Sequence, residues 1–423
     1  MINDPYTNAV AQLKQVAGIL GLEKEVVEKL AVPDQVHQTK LSIKMDNGKT
    51  REFQAYRSEH NNSKGPYKGG IRFHEGVTES EVKALSMWMT WKCSVASLPY
   101  GGGKGGIIVN PKELSETELK RLSVAYGEWL EGFVGPWVDV PAPDVNTNGQ
   151  IMAWMLQGLI GKKTLKERMN TNWRATFTGK PLEIGGSLGR EEATGMGGFY
   201  TLENLVKTMG LKKGVITIAV QGMGNVGYWF AKLASEAGYK VVAISDSKGG
   251  VRSDKGLEIG KILEYKKKTG SLEGFPGVVK ITNAELLLLP VTILVPAALE
   301  SVITSENVEK VQAKAIIEMA NGPITPEADL VLAERGILSV PDVLSNAGGV
   351  TVSYFEWVQN LHGAVWSKEE VFIKLKEVMD RAFREMWKMW EGKVSKLEIT
   401  QKNLRMAVYS NAVKRVVEAM RLS

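Results

Sequence analysis

The chain has 423 residues, 43% of them hydrophobic and 24% charged; this composition excludes a disordered chain, and the length calls for two domains rather than one core. Its 53 basic and 47 acidic residues leave a net charge of +6, spread so evenly that neither nucleic acid nor membrane is an expected partner; the longest basic run is only Lys266-Lys267-Lys268. One cysteine, Cys93, excludes an internal disulfide, and the four histidines (His37, His60, His74, His362) lack ligand spacing, so no metal site is expected.

The opening MINDPYTNAV lacks a basic start followed by an apolar run. The longest apolar stretch, Leu286 to Leu299, is broken by Pro290, Thr292 and Pro296 and falls short of the roughly 18 residues that a bilayer span requires. A soluble, cytoplasmic protein is expected.

Residues 36–45 and 52–57 alternate as half-buried strands do, around the turn Asp46-Asn47-Gly48. Thr78-x-x-Glu81 predicts a capping box, opening a helix with an apolar stripe at Val82, Leu85, Met89, Cys93 and Ala96 and with Lys92 at its edge. A second box, Ser115-x-x-Glu118, opens the next helix. From residue 214 the rhythm changes. Short apolar runs at 215–220, 241–245, 291–295, 315–319 and 337–340 alternate with helical patterns; this indicates an α/β fold with a doubly wound parallel sheet. The helix after 220 has its stripe at Val226, Phe230, Leu233 and Ala237. After 353 only amphipathic helices remain, one with its stripe at Leu404, Ala407, Val408, Val413, Val416 and Met420.

Gly222-Met223-Gly224-Asn225-Val226-Gly227 matches G-x-G-x-x-G. It follows a strand and opens a helix, the context in which glycines let backbone approach a pyrophosphate at a helix N-terminus. Asp246 ends the next strand, about twenty residues on, where a carboxylate accepts the adenosine ribose hydroxyls. A carboxylate there repels the extra phosphate of NADP and favours NAD. Ser247, Lys248 and Arg252 could accept that phosphate, so NADP is the alternative cofactor.

PYGGGKGG (99–106) packs five glycines around Lys104. No Ser or Thr follows the lysine, so this is no phosphate-binding P-loop. A lysine so poorly solvated has a lowered pKa and suits acid–base catalysis; the plain alternative is a flexible surface loop. Asp144, in VPAPDVNTN, is either a helix N-cap, the commoner job, or a catalytic carboxylate. The box Thr147-x-x-Gln150 offers another cap and leaves Asp144 free. Lys68, in GPYKGGIRF, is a second cation between glycines or a turn lysine. Ser353-x-x-Glu356 is again a capping-box pattern.

GPYKGGIRF (65–73), MTWKCSVASLPYGGGKGG (89–106), VPAPDVNT (140–147), FTGKP (177–181), QGMGNVG (221–227), ANGP (320–323) and NAGGVTVSYFEW (346–357) together resemble the glutamate dehydrogenase family, in its short hexameric archaeal and bacterial type. The resemblance spans nearly the whole chain. It implies a substrate-binding and oligomerisation domain over 1–184 with a mixed sheet, a Rossmann dinucleotide-binding domain over 185–352, and helices over 353–423 that pack back on the first domain. The active site would then lie in the cleft. It also implies a homohexamer acting on glutamate, 2-oxoglutarate and ammonia.

On this resemblance Lys104 is the catalytic lysine and Asp144 the proton-transferring aspartate. Lys68 pairs with the substrate's side-chain carboxylate, assisted by Ser353, and Lys92 binds the α-carboxylate. Met89 stands at a substrate-pocket position where many relatives carry Gln. Arg190 and Thr194 lie at the nicotinamide end, and Asn225 and Asn321 contact the cofactor. A branched-chain or aromatic amino-acid dehydrogenase is the nearest alternative, but those relatives carry an apolar residue where Lys68 stands. A non-catalytic dinucleotide sensor would keep the glycine turn without needing Lys104 and Asp144 together.

Overall fold

The computed structural model describes residues 4–161, 163–164, 172–398 and 401–422. The chain divides into two compact units: Met1–Arg190 with Val350–Val371 and Ala412–Ser423, and Glu191–Gly349 with Phe372–Asn411.

The first unit opens with helices α1 (Pro5–Leu20) and α2 (Lys24–Leu30), followed by strands β1 (Gln35–Lys44), β2 (Thr50–Asn61) and β3 (Tyr67–Phe73). Helix α3 (Glu79–Val95) and strand β4 (Gly102–Ile107) follow, then α4 (Glu116–Leu130), β5 (Asp139–Pro143) and α5 (Gly149–Gly161). The sheet order is β1-β2-β4-β3-β5. Strands β1, β2 and β4 pair antiparallel, whereas β3 runs parallel to both β4 and β5. Phe53, Ile71, Phe73, Ile107, Leu122, Tyr126, Met155 and Phe177 form the core between the sheet and helices α4 and α5.

The glycine run around Lys104 is the middle strand of this sheet, not a surface loop. Glycine is a poor strand former, so packing must select it. A Cβ on Gly102 would lie 2.2 Å from the Ser86 carbonyl of α3, one on Gly105 2.4 Å from the Tyr126 hydroxyl of α4, and one on Gly69 of β3 1.4 Å from the Gly103 carbonyl. Helices and strands close in on β4 from both faces, and only hydrogen fits. Helix α3 is accordingly buried over more of its surface than one stripe: Ala84, Met87, Thr90, Trp91 and Ser94 join Val82 and Cys93, while Leu85 and Met89 are only half-buried.

The second unit contains α6 (Ala193–Thr208), β6 (Thr217–Gln221), α7 (Asn225–Glu236), β7 (Lys240–Asp246), β8 (Gly249–Arg252), α8 (Ile259–Thr269) and β9 (Val279–Ile281). It continues with α9 (Asn283–Leu287), β10 (Ile293–Pro296), β11 (Ala315–Ile317), α10 (Pro326–Glu334), β12 (Leu338–Val340) and α11 (Asp342–Ser345). The sheet order is β12-β11-β10-β6-β7-β8-β9. The five strands expected from sequence pair in parallel, and the unanticipated β8 and β9 extend the sheet antiparallel beyond β7. Helix α7 buries Gly227, Phe230, Ala231 and Ala234, one position round from the expected stripe. Gly227 must face the sheet, because a Cβ there would lie 1.9 Å from the Gly222 carbonyl.

Among the described residues the chain ends with the α-helices α12 (Gly348–His362), α13 (Lys368–Gly392) and α14 (Leu404–Met420). Residues 350–371 and 412–423 belong to the first unit, and 372–411 to the second. Leu404, Ala407, Val408, Val413 and Val416 of α14 are buried and Met420 is half-buried. Among the described residues no helix is long and apolar enough to cross a membrane.

Candidate active site

Lys104 projects from β4 on the face covered by α3, since its neighbour Gly102 faces Ser86 and Thr90 and strand side chains alternate. Its Nζ lies 2.8 Å from Asp144 Oδ1, and the lysine is 5% exposed. Asp144 follows β5 and lies over Gly70 of β3, where a Cβ would approach the Asp144 Cβ to 2.7 Å. Burial lowers the Lys104 pKa, and the adjacent carboxylate opposes that shift. Burial alone would raise Asp144, but Lys104 and Arg72 outweigh it and hold the carboxyl well below the ordinary range.

Asp144 does not cap α5. Thr147 does not either: its hydroxyl accepts the Asp144 N–H at 2.8 Å and reaches the Ile71 carbonyl at 2.8 Å. Asn148 caps the helix, its Oδ1 accepting the Ile151 N–H at 3.1 Å.

Lys68 of β3 is 1% exposed, a strand residue rather than a turn lysine. Among the described residues its ammonium has no ion-pair or hydrogen-bond partner. Burial, and after it the nearby Arg190 guanidinium, push it down to about 7. Arg190 is half-buried and is itself lowered by burial, with Glu356 opposing. Two cations thus share one interior region, with the Glu356 carboxylate acting on Arg190 and that of Asp139 on Lys68. Lys92 and Met89 are half-buried on α3.

Ser353 lies inside α12 and caps nothing. Its Oγ hydrogen-bonds Thr178 Oγ1 at 2.5 Å, both residues being buried. The same helix clamps the segment after Phe177. Glu356 accepts the Gly179 N–H at 2.7 Å and binds Lys180 Nζ at 2.6 Å, both charged groups fully buried, while Asn360 Nδ2 donates to the Gly185 carbonyl at 2.7 Å.

Sequence reasoning missed Arg72, Glu81, Arg57, Thr178 and this clamp. Arg72 Nε donates to Asp144 Oδ2 at 2.8 Å and its Nη1 to Glu81 Oε1 at 2.5 Å. Arg57, fully buried, forms a two-pronged pair with Asp139 at 2.6 and 2.5 Å and reaches the Gly69 carbonyl of β3. The signal for Arg72 was available: Lys68, Gly70 and Arg72 occupy alternate positions of one strand and share a face.

In the second unit, Gly222 has φ +102°, and a Cβ on it would meet Ala298 at 2.8 Å. Gly224 has open space where its Cβ would be, so backbone at the start of α7 is uncovered. Asn225 is exposed, with Nδ2 donating to the Glu191 carbonyl at 2.7 Å, and Val226 is half-buried. Gln221 Oε1 and Asn346 Oδ1 are buried without partners. Open glycine backbone and orphaned amide oxygens together suit a bound dinucleotide.

Asp246 is 7% exposed; its oxygens accept the Lys248 N–H at 2.9 Å and the Leu272 N–H at 3.0 Å, leaving lone pairs for a ribose. Ser247 and Lys248 are exposed, and Arg252 is drawn to Asp254 at 2.9 Å. Asn321 is exposed and accepts from Asn346 Nδ2 at 2.9 Å. Thr194, half-buried at the start of α6, lies close enough to Gly349 that a Cβ there would approach its hydroxyl to 2.7 Å.

The chain is 47% identical to the NAD-specific glutamate dehydrogenase of Clostridioides difficile, over 99% of this chain and 97% of that one. It is 44% identical to the NADP-specific glutamate dehydrogenase A1 of Halobacterium salinarum, over 98% and 97%. Among solved structures, the glutamate dehydrogenase of Peptoniphilus asaccharolyticus superposes with a TM-score of 0.87 at 41% identity, covering 99% of each chain. The hetero-hexameric glutamate dehydrogenase of Thermus thermophilus in its Leu bound form gives 0.89 at 36%, covering 100% and 97%. Residues 33–159 match the family model of the Glu/Leu/Phe/Val dehydrogenase dimerisation domain and residues 185–423 that of Glutamate/Leucine/Phenylalanine/Valine dehydrogenase. With both parts matched and relatives similar over their whole length, the chain belongs to the glutamate/leucine/phenylalanine/valine dehydrogenase family.

Proposed function

We propose that the protein is an NAD(P)-dependent glutamate dehydrogenase, interconverting L-glutamate with 2-oxoglutarate and ammonia. The observation that carries the choice of substrate is Lys68: a buried ammonium with no ion-pair partner among the described residues, beside a second cation, Arg190. An uncompensated buried charge costs several kcal/mol, and a substrate with a distal carboxylate removes that cost. Leucine, valine and phenylalanine cannot.

The first unit takes the amino acid and the second the dinucleotide. Lys68, with Arg190 and Ser353, receives the side-chain carboxylate, and Lys92 the α-carboxylate, with Met89 lining the pocket. Anchored at both ends, the substrate has its Cα fixed in orientation. Gly222, Gly224, Asn225, Val226 and Gly227 hold the pyrophosphate, Asp246 and Ser247 the adenosine ribose, and Thr194 and Asn321 the nicotinamide end. When bound, the dinucleotide supplies the hydride acceptor for the Cα hydrogen. Lys104, its pKa lowered by burial, takes a proton from the water that adds to the substrate carbon after oxidation. Asp144 carries protons to and from the substrate nitrogen. The lysines stabilise the developing anionic oxygen.

Asp246 favours NAD over NADP. A cytoplasmic homohexamer is the expected assembly; a dimerisation-domain match over 33–159 and a hetero-hexameric relative support a hexamer. The test is nicotinamide reduction by the purified protein with L-glutamate, NAD against NADP, with L-leucine and L-phenylalanine as controls. Turnover with leucine or phenylalanine instead of glutamate would overturn the substrate and keep the Lys104–Asp144 chemistry.

A further inference from the structure

We infer that Arg72 and Glu81 are positioning residues of the acid–base centre: Arg72 holds the Asp144 carboxylate against Lys104 through the protonation cycle of the lysine, and Glu81 holds Arg72. The inference rests on the acid–base roles proposed above for Lys104 and Asp144.

Asp144 lies beyond the end of β5, so no strand pairing fixes it. Its backbone turns through Thr147, whose N–H returns to the Asp144 carbonyl at 3.1 Å. Two side-chain contacts hold the carboxylate: Lys104 Nζ on Oδ1 and Arg72 Nε on Oδ2, each at 2.8 Å. Gly70, between Lys68 and Arg72 on one face of β3, makes the space for it. The Arg72 guanidinium spans from Asp144 to Glu81 in the first turn of α3. Glu81 forgoes its reciprocal bond to Thr78: Thr78 accepts the Glu81 N–H at 3.1 Å, but the carboxylate turns to Arg72, leaving Oε2 buried without a partner.

The four side chains form a row of alternating charge, Lys104, Asp144, Arg72, Glu81, the lysine 6% and the other three 20 to 22% exposed. Lys104 must pass through its neutral form to act as a base. At that moment a half-buried Asp144 paired with Lys104 alone would be an uncompensated anion and would be drawn towards taking up a proton. A guanidinium cannot deprotonate in a protein, so Arg72 keeps the carboxylate balanced in both states of Lys104. Its fork serves two carboxylates in fixed directions, which an ammonium cannot do. Glu81 in turn balances Arg72 and benefits from the N-terminus of α3.

The charges acting on Lys104 have definite signs. Asp144 and Glu81 raise its pKa, and Arg72 lowers it. Losing Arg72 therefore raises Lys104, and losing the charge of Glu81 lowers it. Two substitutions in one network thus move the pH dependence in opposite directions, which a general loosening of structure does not do.

The experiment is the pH profile of kcat/KM for glutamate oxidation by the whole enzyme, for Arg72→Met, Arg72→Lys, Glu81→Gln and Asp144→Asn. The acidic limb of Arg72→Met should move up by about one pH unit or more, the usual effect of one charge within about 4–6 Å. Arg72→Lys should return the limb towards the parent, and Glu81→Gln should move it down. If Arg72→Met and Glu81→Gln lower the ceiling without moving the limb, or move it the same way, the inference is overturned and the pair is a structural prop. Asp144→Asn separates the two failures: if it keeps parental turnover, the acid–base reading itself fails. If it is inactive while the Arg72 profiles stay fixed, only the positioning role falls.

Discussion

Replacing Lys68 with Met should make the ligand-free protein more stable and a much poorer glutamate binder. The side chain is 1% exposed and its ammonium is lowered from 10.5 to about 7, a displacement of about 3.5 (10.5 − 7). At about 1.4 kcal/mol per unit, the buried charge costs about 5 kcal/mol wherever the group is protonated in both states. The sign follows from proton counting: the unfolded chain binds more protons at Lys68 than the folded one between about pH 7 and 10.5, so stability rises with pH across that window. The full penalty applies below pH 7 and is gone above 10.5. Met is similarly long and unbranched and carries no charge to desolvate. Lys68→Met should therefore unfold at higher temperature or denaturant than the parent at pH 6, with the gap closing by pH 10. Loss of the cation opposite a substrate carboxylate costs about 3–5 kcal/mol, or roughly a hundredfold to several thousandfold in glutamate KM. L-Norvaline, which lacks that carboxylate, should lose nothing. Unfolding curves at the two pH values and paired kinetics check this. A variant less stable than the parent at pH 6, or equal losses for glutamate and norvaline, would refute the reasoning.

Three further outcomes are expected. Gly224→Ala should fold normally and raise the dinucleotide KM, whereas Gly227→Ala, whose Cβ would lie 1.9 Å from the Gly222 carbonyl, should lower the melting temperature as well; equal stabilities would contradict the close approach. Glu356→Gln leaves the Lys180 ammonium fully buried without its counter-charge and should cost about 3–5 kcal/mol. Adding Lys180→Met should recover most of that loss in the same melt. Asp246→Ser removes the charge that opposes a second phosphate, so the NADP to NAD ratio of kcat/KM should rise about tenfold, worth about 1.4 kcal/mol. An unchanged ratio would mean that Asp246 serves only the Lys248 and Leu272 amides it already binds.

What could be read in advance follows a physical division. The parallel strands β6, β7, β10, β11 and β12 were legible because strands buried on both faces need continuous β-branched and aliphatic runs. Strands β8 and β9 were not: one begins with two glycines, the other is three residues long, and neither carries a pattern. Strand β4 was not legible as a strand because its composition records the closeness of α3 and α4 rather than any strand preference. Lys68 and Lys104 stood out through the same glycines, since residues that let backbone approach closely also strip solvent from the cation between them. The pairing of Lys104 with Asp144 joins β4 to the segment after β5, far apart in sequence, and no local pattern records it.

The four capping-box patterns sharpen that point. Only Ser115-x-x-Glu118 forms a reciprocal box, its two bonds at 3.0 and 3.1 Å. Thr78-x-x-Glu81 keeps half of its box because Glu81 is taken by Arg72. Thr147-x-x-Gln150 gives the cap to Asn148 because the Thr147 hydroxyl is bound to the Asp144 N–H. Ser353-x-x-Glu356 lies inside a helix, with Glu356 bound to Lys180 and Ser353 to Thr178. A cap bond contributes about 0.5–2 kcal/mol, less than the cost of leaving a desolvated cation unpaired, so Arg72 takes the Glu81 carboxylate from its cap, while Thr147 and Ser353 are taken by tertiary hydrogen bonds. All three diverted patterns contact or contain a candidate site residue or its immediate support, and the one that forms as written touches none of them. A local rule with every residue in place that the fold nonetheless overrides therefore marks where the chain has put its side chains to another use, and here that use centres on Asp144 and Ser353.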